Sequence, residues 1–92
     1  MEEYLSLEQI YKELETLDKW EYNIDQNNMQ LALTYNDKEE ALKTLDLLLD
    51  TTRGEGRIII QNNTIILILG EGGITKKHIN IARNINNLLS DK

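Results

Sequence analysis

Apolar residues in this chain recur at intervals of three or four, then of two, and the period switches repeatedly along the sequence. That switching constrains the fold more than any other feature, because helices and strands bury side chains with different periods. Leu7, Ile10, Leu14 and Leu17 form a first helical stripe. Ser6 is placed to cap it, with Gln9 at the reciprocal position, and Leu5 and Ile10 have the spacing of a hydrophobic staple. The stripe predicts a helix that ends near Asp18. From Trp20 the period becomes two: Trp20, Tyr22 and Ile24 alternate with Glu21, Asn23 and Asp25, the mark of a half-buried strand. After Gln26-Asn27-Asn28, the residues Met29, Leu31, Leu33 and Tyr35 alternate again. Asparagine tolerates the positive φ of tight turns, so the segment reads as a hairpin.

The same grammar then repeats. Asp37 with Glu40 offers a second capping box, and Ala41, Leu42, Leu45, Leu48 and Leu49 trace a helix that stops before Gly54. Leu47 falls off that stripe; it is either an isolated exposed leucine or a helix–helix contact between subunits. Ile58-Ile59-Ile60 and Ile65-Ile66-Leu67-Ile68-Leu69 flank Gln61-Asn62-Asn63 as a second hairpin. These runs do not alternate, so both faces are expected to be covered, one of them by a partner subunit. Thr75 caps the last helix, Ile74 and Ile79 repeat the staple, and Ile79, Ala82, Ile85, Leu88 and Leu89 supply its buried side. The two Gln-Asn-Asn turns stand 35 residues apart, a weak internal repeat. The expected class is α+β in the order α-β-β-α-β-β-α, a four-stranded antiparallel sheet with three helices on one face. Such a sheet has edges and an open face, and both favour oligomers. Residues 1–92 are expected to form a single domain.

Several function classes are excluded at once. The chain has no cysteine and one histidine, so neither thiol chemistry nor a two-imidazole mechanism on one chain is available. Scattered carboxylates and a lone histidine predict neither a metal centre nor a resident cofactor. The longest apolar run, Ile65 to Leu69, is far below the ~20 residues of a membrane span. The start, Met1-Glu2-Glu3-Tyr4, is acidic where a signal peptide is basic, so a cytoplasmic location is expected. The net charge of −6 divides into −9 for residues 1–52 and +3 for residues 53–92. That asymmetry suits self-association better than it suits nucleic acid. Lys76, Lys77, Arg83, Arg53 and Arg57 would have to carry any nucleic-acid binding, and no aromatic after Tyr35 offers them a stacking platform.

Trp20 opens the first strand, Leu33-Thr34-Tyr35-Asn36-Asp37 joins the second strand to its helix, and Gly73-Ile74-Thr75-Lys76-Lys77-His78 with Ile81-Ala82 introduces the last helix. In this order the phrases resemble the pterin-4a-carbinolamine dehydratases, also known as dimerisation cofactors of homeodomain transcription factors. The resemblance runs from about Leu7 to Leu89 and implies the same α+β fold and a homodimeric or homotetrameric assembly. It also implies an active site built on a His-His-Pro phrase after the second helix and a third histidine after the fourth strand. Here the chain departs from the family. With Asp50 matched to the acidic residue before that phrase, Thr51 and Thr52 stand where the histidines belong and Arg53 replaces the proline. The third histidine's segment becomes Gly70-Glu71-Gly72-Gly73, and His78 stands where the introducing phrase ends in Asp.

Removing water from a 4a-hydroxytetrahydropterin calls for a proton donor and a base that titrate near neutrality, and threonine supplies neither. The loss of that help costs about two to four decades in rate unless Glu71 or His78 replaces it. His78 either lines a residual cleft or is a surface residue. Arg53 and Arg57 either grip a carboxylate or phosphate or pair with carboxylates of the acidic half. Gly72 and Gly73, the other cleft candidates, either border a ligand or give the turn its backbone freedom. The expected function is a non-catalytic, oligomeric protein-binding module that assembles or dimerises a partner. Relatives without the histidines are implicated in assembling the carbon-fixing enzyme of carboxysomes. Pterin binding and a rearranged, active dehydratase form the rival reading, and weak nucleic-acid binding comes third.

Overall fold

The computed structural model describes residues 3–90, so the first two residues of the acidic start, Met1 and Glu2, lie outside it. Its elements are α1 (Leu7–Leu14), β1 (Trp20–Asn23), β2 (Asn28–Thr34), α2 (Lys38–Thr52), β3 (Arg57–Gln61), β4 (Thr64–Leu69) and α3 (Lys76–Ser90). The strands form one antiparallel sheet in the order β1-β2-β4-β3, which leaves β1 and β3 as edges.

Register decides which residues share a face. Trp20 pairs with Leu31, Tyr22 with Met29, Leu31 with Leu67 and Ile58 with Leu67, so all of these lie on one side. They join Ile10, Leu17, Ala41, Leu48, Ile74, Ile79, Ala82 and Ile85 from the helical segments in a single core. The three helices therefore cover that face, as the amphipathic stripes require. The opposite face carries Gln30, Ala32 and Thr34 opposite Ile68, Ile66 and Thr64, with Arg57, Ile59 and Gln61 alongside on β3. Asn27 and Asn62 take φ of 52° and 55°, as the two Gln-Asn-Asn turns predicted.

Several expectations need correction. α1 closes at Leu14 rather than near Asp18, because Thr16 and Leu17 bond three residues back, to Glu13 and Leu14, and tighten the turn. Lys19 then reverses the chain at φ 71°. Leu17 stays in the core at 1% exposure, but Leu7, assigned to the same stripe, is exposed. Ile24 lies beyond β1 in the turn and is exposed rather than facing the core. On α2 the buried positions are Ala41, Thr44, Leu48 and Thr52, while Leu42 and Leu49 face solvent at 46% and 51%. Both faces of β4 are largely covered, but on β3 Ile58 and Ile59 are half-buried and Ile60 is exposed.

Candidate functional site

One end of the molecule gathers the close of α2, the start of β3, the close of β4 and the start of α3. The chain makes this convergence through glycine. Arg53 ends α2 in the left-handed region at φ 51°, and the Glu55 N–H returns to the Thr52 carbonyl at 3.0 Å. Gly56, at φ +79°, lays its α-carbon against the Ile68 carbonyl of β4, where a Cβ would collide with backbone. On the other side, Gly73 N–H closes a turn onto Gly70 carbonyl at 2.8 Å. The Tyr4 ring packs over Gly73 in space that a side chain there would fill. Leu5 N–H donates to Ile74 carbonyl at 2.7 Å, so the N-terminal segment straps this loop.

Charged groups link the two loops. Arg57 Nε donates to Glu71 Oε1 at 2.6 Å, and Lys77 Nζ donates to Glu55 Oε1 at 2.7 Å. Both pairs are well exposed, so solvent and salt screen them and each is a weak tie. The hydrogen bond and charge of Lys77 hold the Glu55 carboxyl below the usual carboxylate range, with a smaller contribution from His78. His78 is no surface residue, since its side chain is only 13% exposed. Its Nδ1 accepts the Thr75 backbone N–H at 3.0 Å and lies 3.1 Å from the Thr75 hydroxyl, while Nε2 stands 4.0 Å from Glu55 Oε2. The imidazole is thus built into the N-cap of α3.

The residues that the resemblance places in an active site are engaged within the chain. The Thr51 hydroxyl donates to the Leu47 carbonyl at 2.8 Å, and the buried Thr52 hydroxyl donates to the Leu49 carbonyl at 3.4 Å. Glu71 is brought to Arg57, so that arginine pairs with a carboxylate of the basic half instead of one from the acidic half. Gly72 and Gly73 take φ of +84° and +158°. Leu47 is half-buried on α2 one turn before Thr51, and the exposed leucines of that helix are Leu42 and Leu49. Among the basic residues, Arg83 reaches Glu13 at 3.2 Å, so Arg57, Lys77 and Arg83 each face a carboxylate instead of forming an open cationic stripe. Among the described residues no group of three or more His, Asp or Glu side chains could hold a metal ion, and no helix is long and apolar enough to cross a membrane.

Glu55 and Tyr4 were not singled out by sequence reasoning. Glu55 sits between two glycines, which marks a turn and says nothing of its partner. The cap was legible in principle, because Thr75 and His78 stand at the three-residue separation of Ser6 and Gln9.

This architecture is shared with a solved protein. A crystal structure described as a transcriptional coactivator/pterin dehydratase from Brucella melitensis aligns with a TM-score of 0.81, over 92% of this chain and 97% of that one, at 16% identity. The sequence matches no family model and no curated protein. The likeness shows the fold. It agrees with the α-β-β-α-β-β-α order read from periodicity.

Proposed function

We propose that the protein is a non-catalytic relative of the pterin-4a-carbinolamine dehydratases, a self-associating module that binds or assembles a protein partner. The observation that carries this reading is the state of the groups at the candidate site. Thr51 and Thr52 bond their own helix, Glu71 is held by Arg57, and His78 accepts the N-cap amide of α3. An elimination needs an acid and a base presented to substrate, and these groups are turned to structural partners. The coactivator half of the neighbour's description supports a protein-binding role by analogy of fold.

Self-association is favoured by what the helices and sheet leave uncovered. Leu42 and Leu49 are exposed on α2, and β3 is an edge strand with three consecutive isoleucines and neither lysine nor proline to blunt it. The protein is expected to be a homodimer or homotetramer that acts in the cytoplasm as one domain, with pterin binding and a rearranged, active dehydratase as the rival reading. Light scattering at micromolar concentration tests this: a dimer or tetramer supports the reading, and a monodisperse monomer contradicts it.

A further inference from the structure

The three helices begin with related caps but different chemistry. In α1 the Ser6 hydroxyl accepts the Gln9 N–H and Gln9 Oε1 accepts the Ser6 N–H at 2.9 Å. In α2 Asp37 accepts the Glu40 N–H at 2.8 Å. In α3 the group that accepts the N-cap amide is the imidazole of His78. A backbone N–H can only donate, so Nδ1 holds a lone pair and the neutral ring carries its proton on Nε2. Gln9 keeps its acceptor at every pH. An imidazole does not, and it titrates near physiological pH.

We propose that His78 is a proton-operated latch that exchanges partners between the cap of α3 and the turn joining α2 to β3. Protonation turns Nδ1 from acceptor to donor, so it opposes the Thr75 N–H and the cap bond is lost. The Thr75 hydroxyl can then accept from the ring, and the new positive charge is drawn to Glu55 Oε2 from its present 4.0 Å. Glu55 is ionised throughout this range, because Lys77 holds its carboxyl below the usual values. Lys76 and Lys77 in the first turn of α3, together with the helix dipole, oppose charge on the ring. Glu55 favours it from the α2–β3 turn, and Glu71 in the loop before α3 is itself held by Arg57 of β3.

Release of Thr75 would be felt beyond α3. Thr75 also forms the antiparallel bridge with Tyr4, next to the bond from Leu5 N–H to Ile74 carbonyl. The latch therefore couples the protonation of one ring to the N-terminal strap and to the end where Thr52, Glu55 and Glu71 meet. It stands on the cap geometry and holds whether that end serves a pterin, a protein or neither.

A nitrogen-15 NMR titration of the full chain between about pH 8 and about pH 5 tests the latch, and the single histidine gives one unambiguous ring. At the high end the ring is expected as the Nε2–H form. On acidification the Thr75 amide should lose about fivefold in exchange protection relative to the Ser6 amide, whose acceptor does not titrate. His78→Gln should keep Thr75 protected and abolish the pH dependence, and Glu55→Gln should move the ring's titration to lower pH. An Nδ1–H ring at high pH overturns the proposal, as does a Thr75-to-Ser6 protection ratio that stays constant. So does a pH dependence that survives His78→Gln, or a ring midpoint unmoved by Glu55→Gln. Should His78→Gln fail to fold, the tautomer and the protection ratio of the unaltered protein decide.

Discussion

At the scale of single residues, the structure depends on positions whose demands are geometric rather than hydrophobic. Gly56 combines φ +79° with backbone contact to Ile68. Gly56→Ala should destabilise the protein by about 1–3 kcal/mol, read as a lower denaturation midpoint with unchanged slope. Thr44 is 1% exposed and its hydroxyl has no hydrogen-bond partner. Thr44→Val removes that buried orphan at nearly constant shape and should stabilise by about 1 kcal/mol in the same assay. His78 shows how the sequence can mark a residue and leave its role open between cleft and surface. A lone histidine beside two lysines fits either role, and only the fold shows that the Thr75 amide bonds its ring and that Glu55 stands near it.

At the scale of elements, the strands and turns were legible because alternation and asparagine turns are local signals, and Asn27 and Asn62 adopt the positive φ they imply. α2 was legible as a helix but not in its orientation. Its leucines are dense enough to trace more than one face, and the buried one runs through Thr44 and Thr52, whose methyl groups a purely apolar pattern ignores. The end of α1 was missed for another reason: Leu17 continues the stripe while the backbone has already left the helix. Long-range ties between elements were invisible altogether. Trp20 Nε1–H donates to Asn86 Oδ1 at 2.9 Å, and Asn86 in turn donates to the Asp18 carbonyl at 3.5 Å, tying α3 to the entry of β1. Asn86→Leu leaves the Trp20 N–H without that acceptor, and Trp20 is only 6% exposed. The variant should lose about 1–3 kcal/mol of stability, followed through the fluorescence of the single tryptophan.

At the scale of the whole molecule, the charge asymmetry resolves into pairing: Arg83 with Glu13 bridges the acidic and basic halves, and Arg57 and Lys77 find carboxylates within the basic half. What remains distinctive is apolar surface, on α2 and along β3. Leu42→Glu with Leu49→Glu should leave the monomer's stability within about 0.5 kcal/mol, since neither side chain is in the core, yet weaken self-association measured by sedimentation. Undiminished association in that variant would direct attention to the β3 edge. The candidate site was legible only as a set of substitutions against a family pattern. Its actual state, with each hydroxyl, carboxylate and imidazole committed to a neighbour, follows from tertiary contacts that spacing does not encode. The dehydration rate of a 4a-hydroxytetrahydropterin, followed in a coupled assay with and without the protein, decides whether this end of the molecule is catalytic. The rate of buffer alone is expected; acceleration proportional to protein concentration, and lost in Glu71→Gln, would contradict a non-catalytic site.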